Sequence, residues 1–503
     1  MNIKRAKEEI KDTLRSYLMK DEAGEYVIPA IRQRPVLLIG PPGVGKTQIM
    51  EQAARECGVG LVSYTITHHT RQSAVGLPFI EHRAYGGREY AVTEYTMSEI
   101  VAAVYEKMER TGLKEGILFI DEINCVSETL APTMLQFLQC KTFGNHKIPE
   151  GWLIAAAGNP PEYNKSVREF DVVTLDRLKL IHVEPDFEVW KEYAYREKLH
   201  PAILSYLNIR RQNFCQIETT VDGKRFATPR GWEDLSEFLY VYERLGKRAD
   251  REVVGQYIQF PKISKDFANY LELYYKYQND YQVDGILAGT WSEGLCDQVG
   301  RAAFDEKLSL VGLLLSRLSG AMGELADLEQ VMELVMGRLK GLRERLLSGE
   351  LPAQEALFEA AREVDEEAER KETQGLLSRK EKRILRRAGA MLEQWRAGEA
   401  GSVRGEAAWD WLRERFSEAS DGYEAMRQAC GDQLERAFDF MEAAFGDGQE
   451  MVIFITELNS SWSCLHFLKE YGCKRYDAYN RLLLFEGQEK DIRETMDRMK
   501  GRE

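Results

Sequence analysis

The chain has 503 residues, and its 68 Lys and Arg side chains against 82 Asp and Glu side chains give a formal net charge of −14. Hydrophobic residues make up 44% of the sequence, which is enough for a buried core and excludes a disordered chain. The acidic balance argues against a general nucleic-acid binder, because such proteins neutralise phosphates with Lys and Arg. At about 150 residues per domain, the length predicts about three domains.

Localisation follows from the apolar runs and the cysteines. No apolar run of about 18 residues occurs and the N-terminal segment is charged, so neither a membrane helix nor a signal peptide is predicted. The eight cysteines, at positions 57, 125, 140, 215, 296, 430, 464 and 473, include no CxxC pair. Reduced thiols are the simplest interpretation, since disulfides persist mainly in oxidising compartments. We therefore expect a soluble cytoplasmic protein with no membrane contact.

Apolar runs alternate with amphipathic patterns over the first 185 residues. The runs that predict buried strands are 35–39, 61–66, 117–120, 153–157 and 180–183, and the helical patterns are 1–20, 48–57, 97–110 and 128–139. Strands and helices that alternate in this way predict an α/β core with a covered, largely parallel sheet. Two interruptions, 78–95 around a Tyr-Gly-Gly turn and 140–151, are typical of β-hairpins.

Beyond Pro185 the pattern becomes helical through about residue 285, and the rest of the chain also predicts helices. Charges of both signs are mixed over 351–400, which is most simply a solvated helical hairpin or arm. The predicted domains are an α/β core at 1–185, a helical region at 186–285, called the lid below, and a helical C-terminal domain at 286–503.

A phosphate-binding motif follows the first strand pattern. The sequence from Gly40 to Thr47, GPPGVGKT, matches G-x-x-x-x-G-K-[ST] in full and precedes a helical pattern. Its glycines let N–H groups turn towards phosphates, Lys46 reaches the β/γ oxygens and the Thr47 hydroxyl joins a Mg²⁺ shell. A chance glycine turn is the alternative, and the strand–loop–helix context outweighs it. The predicted nucleotide-binding residues are Gly40, Pro41, Pro42, Gly43, Val44, Gly45, Lys46, Thr47, Gln48 and Asp121.

Two carboxylates follow the strand pattern at 117–120. At that strand end Asp121 can hold Mg²⁺ through water, and Glu122 can polarise an attacking water. A helix N-cap with an acidic first turn is the alternative. The functional interpretation is favoured because the pair follows a phosphate loop within an alternating α/β pattern. Thr47 and Asp121 are therefore the predicted metal ligands.

Three downstream residues complete the candidate site. Asn159 follows another strand pattern and can orient the water, although an ordinary Asn-Pro turn is an equally good interpretation. Arg177 in LDRL and Arg230 in TPRG each offer a cation that can stabilise a transferring phosphoryl group. Because a lone arginine is usually a surface residue, these two assignments need further support.

The ordered set GPPGVGKT, ILFIDE, AAAGN, LDRL and TPRG resembles that of the AAA+ ATPases. With the hairpin insertion at 78–95, about half of the chain, roughly 30–285, is similar to the MoxR-like branch. The resemblance implies that Asn159 is the first sensor, Arg230 the second sensor on the lid, and Arg177 the arginine finger acting on a neighbouring subunit. Arg168, in the same loop after Asn159, is the competing finger.

The resemblance also implies a function: Mg²⁺-dependent ATP hydrolysis by a ring, expected to be a hexamer, that remodels or assembles a protein partner like a chaperone. It further implies a partner with a von Willebrand factor A domain. The hairpin is expected to face this substrate through Phe79, Tyr85 and Tyr90, unless it packs only on its own subunit. The segment 67–72 and the region 286–503 match nothing in the family, and a structural role is favoured for His68 and His69 because they lack further ligands at suitable spacing.

Two other functions stay open. A nucleic-acid-associated NTPase motor, or the partner of a nuclease, would need a basic stripe with interleaved aromatic residues. The nearest basic stripe, 380–387, is surrounded by acidic residues. A nucleotide-gated scaffold that binds ATP without rapid turnover is the third possibility, and the presence of Glu122 argues against it.

Overall fold

The computed structural model describes residues 1–68, 76–143, 145–163, 170–220, 223–398 and 403–483. The chain divides into two compact units. The first unit is Met1–Val189, Thr228–Arg230 and Glu366–Lys382, and the second is Trp190–Ala227, Gly231–Asp365 and Arg383–Glu503. The segments predicted as a lid and as a C-terminal domain both lie mainly in the second unit. The three-domain division stays a prediction.

The first unit alternates strands and helices, as the apolar runs predict. Its elements are α1 (Ile3–Leu18), β1 (Val36–Ile39), α2 (Lys46–Cys57), β2 (Gly60–Thr65), β3 (Pro78–Tyr85), β4 (Arg88–Tyr95), α3 (Glu99–Thr111), β5 (Gly116–Asp121), α4 (Ala131–Cys140), β6 (Thr142–Phe143), β7 (His146–Lys147), β8 (Trp152–Gly158), α5 (Val172–Leu175) and β9 (Lys179–His182). Short 3₁₀ turns lie at Ala30–Arg32, Ile66–His68 and Ile123–Cys125.

A five-stranded parallel sheet forms the centre of this unit, in the order β2-β5-β8-β1-β9. Successive residues of β1 point to opposite faces, as the two-residue period of a strand requires. Leu37 packs in the cluster with α3 and α4, whereas Val36 and Leu38 pack in the cluster with α1 and α2. Helices therefore cover both faces, and the predicted α/β core with a parallel sheet is confirmed.

Both predicted hairpins are present. The strands β3 and β4 pair antiparallel across Gly86 and Gly87, whose φ angles of 58° and 81° suit a tight hairpin turn. The second hairpin is short, with only β6 and β7 paired. The two hairpins touch: Asn145 donates a hydrogen bond to Glu94, and a ring nitrogen of His146 lies 3.1 Å from the Tyr95 carbonyl oxygen.

The second unit is largely helical. Its elements are α6 (Phe187–Arg196), which begins in the first unit, α7 (Pro201–Ile209), β10 (Gln216–Thr220), β11 (Gly223–Ala227), α8 (Pro229–Arg244), α9 (Arg251–Tyr257), α10 (Pro261–Asp280), α11 (Val283–Ala288), α12 (Glu293–Gly300), α13 (Phe304–Gly341), α14 (Arg343–Leu347), α15 (Ala353–Gln374), α16 (Arg379–Ala397), α17 (Glu406–Phe445), α18 (Gln449–Ser460) and α19 (Trp462–Tyr471). The helical expectation for 186–285 is wrong at β10 and β11, which form an antiparallel hairpin. The alternating polar sequence and the Asp-Gly pair between them were the available signal.

One helix of the described chain, α13, is long and apolar enough to cross a membrane, by length and composition alone. Its most apolar window has a mean hydropathy of 1.3, and 61% of that window is buried inside the protein. Leu314, Leu318 and Val331 are at most 1% exposed, and α13 packs against α7, α17 and α19. The core helix of a globular protein passes the same test, so the absence of membrane contact stays a prediction.

The charged segment 351–400 forms a helical hairpin, but one side of it is buried. The buried residues are Ala353, Ala356, Leu357, Ala360, Ala361 and Val364 on α15 and Ile384, Leu385, Ala388, Gly389 and Leu392 on α16. The tip, Glu366–Lys382, groups with the first unit. There Lys107 of α3 donates to the Gln374 carbonyl at 3.0 Å, and the Gln374 amide donates to the Thr111 carbonyl at 3.4 Å. The expectation of a simply solvated arm is therefore wrong.

Candidate nucleotide site

The candidate residues meet at one edge of the parallel sheet. The neighbouring strands β5, β8 and β1 end at this edge, because the carboxyl ends of parallel strands lie on the same side. The loop 40–45 follows β1, Asp121 ends β5, and Asn159 follows β8. The sheet order thus brings together three segments that are far apart in the sequence.

The loop after β1 has a backbone that requires glycine. Gly43 and Gly45 have φ angles of 78° and 89°, a conformation that other residues rarely adopt. A Cβ atom on Gly40 would lie 2.4 Å from the Val183 carbonyl oxygen, so a side chain there would collide with the chain after β9. Gly45 is the N-cap of α2, and Val44 is buried in the core beneath the loop. The loop is therefore fixed against the sheet, directly before a helix N-terminus.

Lys46 is a buried cation with neutral partners. Its Nζ donates to the carbonyl oxygens of Gly40 and Pro41, both at 2.8 Å, and to Asn159 Oδ1 at 2.9 Å. Its pKa is lowered from 10.5 to about 8, mainly by burial; the negative charges of Asp121 and Glu122 oppose this change, and the positive charge of Arg230 adds to it. A lysine held in this way is poised to receive an anion.

Thr47 and Asp121 form the polar pair predicted for the metal. The Thr47 hydroxyl donates to Asp121 Oδ2 at 2.7 Å, and the backbone N–H of Glu122 donates to Asp121 Oδ1 at 2.9 Å. Both residues are half-buried. A hydroxyl beside a carboxylate offers the oxygen ligands that Mg²⁺ prefers. This donor set fits a Mg²⁺ ion that is bound together with phosphates.

Glu122 has a strained backbone and a half-buried side chain. Its φ of 57° lies in the left-handed region, which is uncommon for a residue other than glycine and is often found at functional sites. No hydrogen bond to its carboxylate occurs within the described residues. Its negative charge acts on Lys46, where it raises the pKa of the amine. The carboxylate is therefore available to accept a proton or a hydrogen bond at the same sheet edge as Lys46.

Asn159 is held by a residue that the sequence analysis did not single out. Asn124, in the 3₁₀ turn after Glu122, donates from Nδ2 to the Asn159 carbonyl oxygen at 2.8 Å. Thr228 was also missed: its Oγ1 would lie 3.1 Å from a Cβ atom on Gly43. The only available signal was their position, since Asn124 follows the acidic pair and Thr228 belongs to the TPRG sequence.

The two arginines are placed differently. The Cβ of Arg230, near the start of α8, would lie 3.4 Å from a Cβ atom on Gly43, and the guanidinium charge acts on Lys46. Arg177 is exposed and donates a hydrogen bond to Gln139 of α4. In the described part of the chain, it takes no part in the hydrogen bonds of Lys46, Thr47 or Asp121. Arg230 therefore joins the site, whereas Arg177 does not.

The remaining predicted residues lie in the loop, on α2 or outside the described residues. Pro41 and Pro42 are half-buried in the loop, and Gln48 is exposed on the first turn of α2. Arg168 and His69 lie outside the described residues, as does the side chain of His68. Among the described residues, no group of three or more His, Cys, Asp and Glu side chains could hold a metal ion.

The parallel five-stranded sheet, with helices on both faces, is consistent with an AAA+ P-loop core and is followed by a largely helical region. Residues 36–175 match the model of the ATPase family associated with various cellular activities (AAA). No curated protein matches the chain. A solved structure similar to it, at 16% identity and a TM-score of 0.21, is that of a candidate ATPase from Cytophaga hutchinsonii. The match covers 36% of this chain and 51% of that one, so this chain spans about half the length of that protein.

Proposed function

We propose that this protein hydrolyses ATP with Mg²⁺. The observation that carries the proposal is the meeting of three groups at one sheet edge. They are Lys46, whose hydrogen-bond acceptors in the described chain are carbonyl and amide oxygens, the Thr47–Asp121 pair, and the carboxylate of Glu122, to which no described residue donates a hydrogen bond. The match of residues 36–175 to the AAA model supports the same chemistry. A structural cluster would instead pair its own charges, because an uncompensated buried charge is costly.

Each residue has a distinct role in this proposal. The loop N–H groups and Lys46 bind the β- and γ-phosphates, and Thr47 and Asp121 hold Mg²⁺, which neutralises charge on the phosphate oxygens. Glu122 accepts a proton from the attacking water, and Asn159 orients that water. Arg230, beside Gly43, stabilises charge on the γ-phosphate.

The test is the variant Glu122→Gln, which keeps the shape of the side chain and removes its basicity. We expect ATP to bind with unchanged affinity while the turnover number falls by about 100-fold or more. The matched control is Glu128→Gln, which changes an exposed carboxylate in the segment that follows and should leave turnover unchanged. Normal turnover in Glu122→Gln would remove its role as base; slow wild-type turnover that Glu122→Gln leaves unchanged would favour the nucleotide-gated scaffold.

We further propose that the chain works as a MoxR-like ring, a hexamer, in which Arg177 completes the site of a neighbouring subunit. Two observations support this proposal. The LDRL sequence resembles the arginine-finger motif of the family, and Arg177 is exposed and donates its hydrogen bond to Gln139. A mixture of Arg177→Ala and Lys46→Ala subunits should recover part of the activity that each variant lacks. If no mixing ratio recovers activity but Arg168→Ala mixtures do, Arg168 is the finger; if neither does, the site is complete in one chain.

In this proposal the cytoplasmic ring remodels a protein partner that carries a von Willebrand factor A domain, in the manner of an assembly chaperone. The hairpin β3–β4 supplies the contact: Phe79, Tyr85 and Tyr90 are 46%, 52% and 49% exposed. The triple change of these residues to Ser should abolish stimulation of hydrolysis by the partner and preserve basal turnover. Stimulation by DNA or RNA that is steeply reduced by salt would instead support the nucleic-acid motor.

A further inference from the structure

A buried amide lies directly beneath the candidate site. Asn124 is 4% exposed and follows Glu122 by two residues. Its Nδ2 donates to the Asn159 carbonyl oxygen at 2.8 Å, while its buried Oδ1 has no hydrogen-bond partner in the described chain. The cost of an unsatisfied buried acceptor is at least as large as the net gain from one hydrogen bond. Asn124 is therefore a poor choice for stability alone.

The end of β8 is shaped around this amide. A Cβ atom on Gly158 would lie 2.5 Å from Asn124 Oδ1, 2.7 Å from its Cγ and 2.9 Å from its Nδ2. Any side chain at Gly158 would thus displace Asn124. The two strand ends fit together only with glycine on β8 and a small planar amide after β5.

The contact continues into the phosphate loop. Asn159, whose backbone Asn124 holds, accepts a hydrogen bond from Lys46 Nζ at 2.9 Å through its own side chain. Asn124 therefore connects the turn that carries Glu122 with the residue that faces Lys46. A change at Asn124 would move the base and the water-orienting amide relative to each other.

We infer that Asn124 is a positioning residue that fixes Asn159 against Glu122 for hydrolysis and contributes little to nucleotide binding. This inference rests on the proposed ATPase activity, because its main consequence is on turnover. The decisive variant is Asn124→Leu, which has a similar size, lacks the donor and removes the unsatisfied acceptor. We expect kcat to fall about 10-fold, the Kd for ATP to change less than twofold, and the melting temperature to stay the same or rise.

The matched control is Asn208→Leu on α7, because Asn208 also has a buried Oδ1 without a partner but lies in the second unit. This control should leave kcat unchanged. A kcat for Asn124→Leu within twofold of the wild type would overturn the inference, as would a loss of kcat accompanied by an equal loss of ATP affinity. If the wild-type protein shows no ATP hydrolysis, the proposed function fails instead, so the two failures are distinguishable.

A second measurement needs no turnover. Gly158→Ala should lower the melting temperature by several degrees in the wild-type background, because the new methyl group meets the Asn124 amide. In an Asn124→Ala background the same change should cost little, since the colliding atoms are gone. Equal decreases in melting temperature in both backgrounds would show that position 158 does not contact the Asn124 side chain. Hydrolysis should stay reduced in the double variant, where space is restored but the hydrogen bond to Asn159 is not; recovered hydrolysis would also overturn the inference.

Discussion

Two buried lysines, one in each unit, show two ways of keeping a cation inside a protein. Lys191 on α6 is 1% exposed and pairs with Glu457 on α18 at 2.9 Å, and Tyr195 donates to the other Glu457 oxygen at 2.6 Å. Lys46 is 8% exposed and is bonded only to carbonyl and amide oxygens in the described chain. Lys191 is paired directly with a carboxylate, whereas Lys46 has Asp121 and Glu122 as nearby charges but bonds directly to neither of them in the described chain.

This difference distinguishes a structural charge from a binding charge. A buried ion pair has its compensation built in, so breaking it leaves an unpaired charge and costs stability. A buried cation with neutral acceptors lowers stability in the free protein and gains its full compensation when an anion binds. The comparison therefore predicts opposite effects when each lysine is replaced by methionine, which has a similar length and no charge.

The largest expected effect is on nucleotide binding by Lys46→Met. Two charge-assisted hydrogen bonds of about 2–3 kcal/mol each would be lost, about 5 kcal/mol in all, which weakens binding more than about 1000-fold. Because a buried charge whose desolvation outweighs the attraction of Asp121 and Glu122 is also removed, the free energy of unfolding should rise. Titration with a fluorescent ATP analogue and chemical denaturation measure the two quantities.

The matched control for this variant is Lys141→Met. Lys141 is also a lysine whose pKa is lowered to about 8 by burial, and its Nζ contacts Gln33 Oε1 at 3.3 Å, away from the phosphate loop. Its replacement should leave ATP affinity unchanged. Equal losses of affinity in both variants would show that charge in general, rather than the position of Lys46, determines binding.

The next largest effect is on stability, by Lys191→Met. The variant leaves Glu457 buried without its cation and should lower the free energy of unfolding by about 3–5 kcal/mol. ATP affinity of the folded protein should stay the same. The double variant Lys191→Met/Glu457→Gln removes both charges and should recover most of the loss. A double variant as unstable as the single one would show that packing, and not charge pairing, is the main contribution.

The depressed pKa of Lys46 predicts a pH dependence of stability. Between pH 8 and 10.5 the unfolded chain holds a proton on Lys46 that the folded protein has lost, so this residue makes stability increase with pH. The increase amounts to at most roughly 3 kcal/mol over that window. Buried thiols such as Cys215 and Cys464, whose pKa is raised by burial, make stability fall over the same range, but they are shared by both proteins. Between pH 7.5 and 10 the wild type should therefore gain stability relative to Lys46→Met in denaturation experiments. An identical pH dependence in both proteins would contradict the shift.

ATP affinity should change in the opposite direction, because the neutral amine above pH 8 no longer attracts phosphates. Wild-type affinity is therefore expected to fall as the pH rises from 7.5 to 10. The weak residual affinity of Lys46→Met for ATP should decrease less over the same pH range, since that variant has no proton to lose at this position.

The site shows which features a sequence can specify. Asp121 and Glu122 lie directly at the end of one buried apolar run, and Lys46 and Thr47 follow another after the loop 40–45. The alternation of strands and helices was therefore enough to place them at one sheet edge. Their local context carries the information. The roles given to them stay predictions until the variants are measured.

The features that the sequence did not reveal depend on contacts between distant segments. Lys191 and Glu457 are 266 positions apart, and the tip of the α15–α16 hairpin meets α3 across a separation of 267 positions. Contacts between residues so far apart in the sequence cannot be predicted from the spacing of residue types. For Asn124 the only signal was its position after the acidic pair, because its contacts with Asn159 and Gly158 depend on the register of β5 and β8. The β10–β11 hairpin is different: it had an Asp-Gly signal, which the surrounding helical patterns obscured.

The smallest expected effect concerns Lys107, whose burial and bonding are less extreme than those of Lys46 and Lys191. It is half-buried, burial lowers its pKa, and it donates to the Gln374 carbonyl at 3.0 Å. Lys107→Met removes one hydrogen bond to a neutral acceptor, a loss of about 1 kcal/mol that apolar burial partly offsets. Global unfolding should therefore shift by less than about 1 kcal/mol, while ATP affinity stays unchanged.

The loss should instead appear locally, at the tip of the helical hairpin. The backbone N–H groups of Gly375 and Leu376 donate to Glu372 and Lys371 carbonyls within that tip. Their hydrogen exchange should become up to about fivefold faster in Lys107→Met, since loosening the contact with α3 lets the tip open more often. Arg110→Met, on the same helix, is the control and should leave exchange unchanged. Unchanged exchange in Lys107→Met would show that the buried side of α15 and α16 holds the hairpin tip without this lysine.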